Sequence, residues 1–195
     1  MKFVIATNNP GKLQEVSDIL KESGHEAISL KELKMDVEVE ETGKTFAENA
    51  LLKARTIAKM SGFPTIADDS GLMVEALGGE PGIYSARYCG VHGDDDANNE
   101  KLLKKMKAQT NRRAKFVCAV CAVFPDGSAL EAAGECPGEI LYERQGAGGF
   151  GYDPLFYVPE LEKTFAQMNK AEKNKISHRR KALDQLKNLL NCHTE

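Results

Sequence analysis

The sequence predicts an α/β fold, a mixed β-sheet flanked by helices, and three observations carry that prediction. Apolar residues switch repeatedly between short continuous runs and helical spacing; the chain opens with a strand, a turn and a helix; and a Pro-Asp-Gly turn near its middle joins two apolar stretches as a hairpin. A hairpin inside a strand-and-helix alternation makes the sheet mixed rather than wholly parallel.

Lys2 to Thr7 reads as a buried strand, and Leu13, Val16, Ile19 and Leu20 then repeat at helical spacing until Gly24 ends the helix. Val37 and Val39 alternate with charges as a half-buried strand does. Thr45-Phe46-Ala47-Glu48 is a capping box opening a helix whose stripe is Phe46, Ala50, Leu51, Ala54, Ile57 and Ala58. Pro64 to Ala67 is a short strand that ends at Asp68-Asp69-Ser70-Gly71. After a glycine-rich loop from Gly78 to Gly93, a helix is expected from about Asp95 to Gln109. The hairpin pairs Phe116 to Phe124 with Ala129 to Ala133, and a further strand is expected near Glu139 to Tyr142. A second glycine-rich segment, Gly146 to Gly151, precedes a strand from Leu155 to Val158. The last helix spans about Ser177 to Leu190, with the stripe Ala182, Leu183, Leu186, Leu189 and Leu190.

At 195 residues, 42% hydrophobic and 28% charged, the chain suits a single globular domain with room for two lobes. Its formal net charge of −3 provides no positive field to hold a polyanion, so no nucleic-acid partner is expected. The longest apolar run, Phe116 to Phe124, falls far short of the roughly 20 residues a membrane helix needs, and the N-terminus has no apolar signal region. The expectation is a cytoplasmic protein with no membrane partner. Five cysteines at irregular spacing fit reduced thiols. Cys118 and Cys121 lie three apart in a strand, which sets them on opposite faces as small buried hydrophobes rather than as a redox or zinc pair. The four histidines form no zinc-binding spacing, so any metal is expected to be oxygen-bound.

Thr7-Asn8-Asn9-Pro10-Gly11-Lys12 lies where a strand hands over to a helix. Free N–H groups, the positive helix end and Lys12 then converge, as in a phosphate cradle. An ordinary Asn-Pro-Gly turn explains the same residues, and spacing alone does not separate the two. Ala6 and Leu13 stand where the common nucleotide loop needs its first Gly and its metal-binding hydroxyl, so metal ligands belong elsewhere. Two acidic pairs supply them: Glu40-Glu41, and Asp68-Asp69 at a strand's carboxyl end, where open α/β sheets bind ligands. Mg²⁺ suits one or two carboxylates completed by substrate phosphates and water. Asp94-Asp95-Asp96 precedes a helix and reads as N-cap and dipole complement, with no catalytic role. In Gly148-Gly149-Phe150-Gly151-Tyr152-Asp153-Pro154 two aromatics sit among glycines, either as a stacking shelf for a flat base or as a tight turn with core aromatics. Ser177-His178-Arg179-Arg180-Lys181 starts the last helix with clustered donors.

With these residues in order, the sequence resembles the inosine/xanthosine triphosphate pyrophosphatase family from about Phe3 to Leu190. The marks are TNNPGK (7–12), EETGxTFxENAxxK (40–53), ADDSGL (67–72), PGIYSARY (81–88), GGFGYDP (148–154) and SHR (177–179). The resemblance implies an elongated homodimer of two-lobed subunits with a substrate cleft between the lobes. It also implies Mg²⁺-dependent release of a nucleoside monophosphate and pyrophosphate from deaminated purine triphosphates such as XTP, ITP and dITP. By position, Thr7, Asn8, Asn9, Pro10, Gly11 and Lys12 bind the triphosphate. Glu40 and Asp69 hold metal, and Asp69 is also the general base. Ser70, Phe150, Gly151, Tyr152, Asp153, Lys173, His178 and Arg179 line the nucleotide site, with Glu41 and Lys53 in support. The chain departs from the family at Arg180 (usually small), Gln167 (commonly Glu) and Cys136, and none of these touches the phosphate or metal positions.

His178 and Arg179 as donors match the O6 and N7 acceptors of a 6-keto purine, whereas adenine presents a 6-amino donor; this explains rejection of ATP but not of GTP. The rivals are a pyrophosphatase for modified pyrimidine nucleotides of the related septum-inhibitor type, a non-catalytic nucleotide sensor and a general ATPase. The SHR and FGYD motifs count against the first, the two acidic pairs against the second and the missing Walker sequence against the third.

Overall fold

In the computed structural model, which describes residues 1–193, seven strands form one sheet in the order β2-β1-β3-β4-β5-β6-β7. In chain order the elements are β1 (Lys2–Ile5), α1 (Pro10–Glu22), β2 (Glu26–Ser29), α2 (Phe46–Ser61), β3 (Thr65–Val74), α3 (Asp95–Met106), β4 (Arg113–Val123), β5 (Ala129–Ile140), β6 (Phe156–Val158), β7 (Lys163–Thr164), α4 (Lys170–Ile176) and α5 (His178–His193). Strands β2, β1 and β3 run parallel, while β5, β6 and β7 are antiparallel, so the sheet is mixed.

Two compact units divide the chain: the first holds Met1–Asp69, Cys118–Gly134 and the segment from Arg179 onward, the second Ser70–Val117 and Glu135–His178. The core of the first is built from Phe3 and Ile5 of β1, Val16, Ile19 and Leu20 of α1, Ile66 of β3, Cys118, Val120 and Ala122 of β4 with Phe124 just beyond it, and Ala182, Leu183, Leu186 and Leu190 of α5. In the second, Leu72, Leu102, Met106, Phe116, Ile140, Leu155, Phe156 and Phe165 close a separate core, with Phe116 and Phe165 stacked at 5.6 Å. No helix among the described residues is long and apolar enough to cross a membrane.

Several elements differ from expectation. The Val37–Val39 segment alternates in burial but forms no strand, because no neighbour supplies a ladder; the strand pairing with β1 is Glu26–Ser29. The two expected strands between Ala129 and Tyr142 are one, β5, and Tyr142 lies beyond it, 71% exposed. Leu189 is exposed rather than part of the α5 stripe. The Thr45 hydroxyl caps the Glu48 N–H, but Glu48 returns its carboxylate to the Lys44 N–H instead of Thr45. Cys118, Cys121 and Cys136 are buried free thiols, and burial pushes Cys118 and Cys121 each up to about 12.

Candidate active site

The most consequential difference lies in β3. Asp68-Asp69-Ser70-Gly71 does not end the strand but continues it to Val74, so both aspartates sit within a strand, 4% and 6% exposed. Buried carboxylates persist only when cations or donors answer them. Asp68 Oδ2 is 2.9 Å from Lys12 Nζ and accepts from Arg179 Nε at 3.3 Å, while the other arm of Arg179 bonds Glu15 of α1. Burial works against the Asp68 charge, yet Lys12, Arg179 and Lys53 hold its carboxyl well below the usual carboxylate range. Asp69 behaves oppositely: burial pushes it up and the Glu41 carboxylate adds to this, with Lys53 and the Asn49 amide pulling back.

Helix α2 supplies Asn49 and Lys53. Lys53 Nζ lies 2.7 Å from Glu41 Oε1 and 3.9 Å from Asp69 Oδ1; burial disfavours its charge, but Asp69, Asp68 and Glu41 outweigh that and raise it. Asn49, fully buried, donates Nδ2 to Asp69 Oδ2 at 3.0 Å, and its Oδ1 accepts the Gly43 N–H at 2.8 Å. The second bond fixes which end of the amide faces the carboxylate. Gly43 makes it possible by close approach, since a Cβ there would lie 2.6 Å from Asn49 Oδ1 and 2.7 Å from Glu48 Cβ. Asn49→Ala strands both partners, and we expect it to lower stability by about 1–3 kcal/mol, read as a shift of the urea midpoint at constant slope. A shift under a few tenths of a kcal/mol would mean that the bond carries no net stability.

The phosphate motif is capped more fully than expected. Asn9, the N-cap of α1, accepts the N–H groups of Gly11 (2.9 Å) and Lys12 (3.1 Å) on its side chain and that of Leu13 on its carbonyl, and Pro10 has none. The cradle of free backbone donors is therefore absent, and the segment offers instead the Lys12 ammonium, exposed Asn8 and the positive end of α1. Glu40 is exposed, whereas Glu41 is the member of that pair joined to Lys53. No group of three or more His, Cys, Asp or Glu side chains is arranged around a metal among the described residues. The donor chemistry still fits Mg²⁺: Glu40, Glu41 and Asp69 offer only hard carboxylate oxygens, and the carboxylates around Lys53 already share one cationic group.

In the second unit, Tyr152 does not share a shelf with Phe150. It is buried and its hydroxyl donates to the Ser85 carbonyl at 2.9 Å, while Phe150 is 40% exposed. Asp153 Oδ2 accepts the Phe150 N–H and pairs with Lys173, whose ammonium stands 4.8 Å from the Phe150 ring centre. His178 is buried and stacks on Phe116 at 4.8 Å. Ser70 follows Asp69 in β3. The three departures from the family all have structural partners: Arg180 pairs with Glu22 and Asp184, Gln167 completes a capping box with Thr164, and Cys136 is core. Asn49, Asp95 and Asn99 are the residues that motif chemistry passed over. The signal for Asn49 was available, as an amide one helical turn before Lys53 on α2.

Comparison with known proteins places the whole chain beside one family. The profile of the Ham1 family covers residues 3–189. A protein of Desulforamulus reducens named dITP/XTP pyrophosphatase is 50% identical over 98% of this chain and 96% of its own, and one of that name from Haemophilus influenzae is 53% identical over 97% and 98%. The structure of the Staphylococcus aureus Ham1 protein superposes with a TM-score of 0.90 at 49% identity, covering 99% of this chain and all of the other. A HAM1 protein from Coxiella burnetii gives 0.90 at 39% identity, with 98% of each chain covered.

Proposed function

Since the chain belongs to the Ham1 family, we propose that it hydrolyses non-standard purine nucleoside triphosphates, XTP, ITP and dITP, to the monophosphate and pyrophosphate. The observation that carries this reading is the name dITP/XTP pyrophosphatase borne by relatives at 50–53% identity over almost the whole of both chains. The charge clusters around Asp68 and Asp69 support it, since they supply what phosphoanhydride hydrolysis requires: cations for the phosphates and a carboxylate for the water.

Asp69 accepts the proton of the attacking water, whose oxygen bonds to the α-phosphorus as the bond from that phosphorus to the bridging oxygen breaks and pyrophosphate departs. Asn49 donates to Oδ2 and so orients the carboxylate for that proton transfer. Lys12 and the N-terminus of α1 neutralise charge on the phosphates, and Arg179 holds Asp68 beside Lys12. Asp69 and Glu40 would hold Mg²⁺, which when bound supplies Lewis-acid neutralisation of the phosphates and a more acidic water, with Glu41 kept in place by Lys53. In the second unit, Phe150 stacks on the base, a contact worth about 1–3 kcal/mol, and His178 supplies a donor to the purine edge, whereas Arg179, the other donor expected from the sequence, is buried against Asp68 and Glu15.

A nucleotide panel with and without Mg²⁺, resolving phosphate from pyrophosphate, tests the reading. Pyrophosphate from XTP, ITP and dITP, dependent on metal, with ATP left intact, is the expected result. Similar kcat/KM for ATP and ITP, or release of a diphosphate plus phosphate, would overturn it.

A further inference from the structure

The acidic run at the start of α3 does more than cap that helix. Asp94 is the N-cap, its carboxylate accepting the Ala97 N–H, and Asp96 pairs with Arg144. Asp95 instead accepts the Gly151 N–H on Oδ2 at 2.6 Å, and Asn99, one turn further on and 2% exposed, donates Nδ2 to the Gly151 carbonyl at 2.8 Å. One glycine thus has both backbone groups taken by two side chains of a single helix face, as a neighbouring strand would take them. Asn99 cannot reverse its amide, because Nδ2 also donates to the Asp95 carbonyl at 2.7 Å and both partners are acceptors. Gly151 adopts φ +61°, the left-handed region where a side chain is strained.

The residues flanking Gly151 are fixed in turn, Tyr152 through Ser85 and the Phe150 N–H through Asp153. The Phe150 side chain remains exposed, with Lys173 beside its ring. We propose that Asp95 and Asn99 are positioning residues for base recognition, clamping both backbone groups of Gly151 so that the Phe150 ring is held ready for the base. The inference rests on the reading of Phe150 as the base-stacking residue. Its energetic content is pre-organisation: a shelf already ordered before binding costs the nucleotide no ordering entropy.

The test compares Asp95→Ala, Asp95→Asn, Asn99→Ala and Phe150→Ala for KM and kcat with ITP. Inhibition by inorganic tripolyphosphate, which has no base, reports on the phosphate half alone, and thermal unfolding reports on the fold. Asp95→Ala and Asn99→Ala should each raise KM about tenfold, with kcat and the tripolyphosphate inhibition constant nearly unchanged. Asp95→Asn, which keeps an oxygen acceptor for the Gly151 N–H, should restore most of the affinity. Because Asp95 is exposed, its variants remain informative even if Asn99→Ala fails to fold. If Phe150→Ala raises KM while Asp95→Ala does not, the clamp is overturned and the shelf stands. If Phe150→Ala leaves KM unchanged, the shelf reading falls and takes the clamp with it. Equal losses with ITP and tripolyphosphate would mean a merely structural role.

Discussion

Asp69→Asn is expected to lower kcat by at least about 10²-fold, the lower end of what a general base contributes, while leaving the thermal midpoint within a few degrees. The side chain keeps its shape, and an Asn oxygen can still accept from Asn49 Nδ2, so the buried amide pair survives. What disappears is the negative charge and the proton-accepting oxygen near Lys53, which keeps Glu41 at 2.7 Å as its counter-ion. Asp69→Ala would be a poorer experiment, since it leaves the Asn49 donor buried without its acceptor and mixes a stability cost of about 1–3 kcal/mol into the result. Steady-state kinetics on ITP, with ligand-free melting as the control, decides the matter. Retention of more than about a tenth of the wild-type kcat is incompatible with a base contribution of that size.

How far the sequence revealed this arrangement depended on whether each signal was local. The opening strand and helix, the Thr45 cap, the Pro-Asp-Gly hairpin and the α5 stripe were legible because each is written within a few neighbouring residues. The extension of β3 through Asp68-Asp69-Ser70-Gly71 was not, because a run of polar residues and glycine has the composition of a turn. What permits two aspartates inside a strand is remote: Lys12 on α1, Asn49 and Lys53 on α2, and Arg179 on α5, this last 111 residues from Asp68. The capping of α1 by Asn9 shows the reverse case. Its N-cap chemistry is local, yet it removes the very N–H groups that the motif reading left open for phosphate. Likewise Val37 and Val39 carry a correct alternation of burial, but a strand needs a partner as well as a pattern, and β1 pairs with β2 and β3. Family motifs singled out Asp69 and Phe150 as candidates, while the bonds of Asp95 and Asn99 to the Gly151 backbone are visible only in the structure.

Arg179→Met is expected to be the most damaging change to stability, about 3–5 kcal/mol, because removing one partner of a buried ion pair leaves the other charge without full compensation. Arg179 is 3% exposed and bonds two carboxylates, Asp68 and Glu15, from two different elements. Methionine matches the length of the aliphatic stem, so the loss is electrostatic rather than a cavity. Lys12 remains 2.9 Å from Asp68, but one cation cannot satisfy both Asp68 and Glu15. The double variant Arg179→Met with Asp68→Asn separates charge from packing: withdrawing the buried anion should recover a substantial part of the loss, as a cycle on urea-derived stabilities would show. If the double variant is no more stable than Arg179→Met alone, uncompensated charge at Asp68 is not the cause. The stabilisation would then have to come from the bond between α1 and α5 through Glu15, which Glu15→Gln in the wild-type background would report separately.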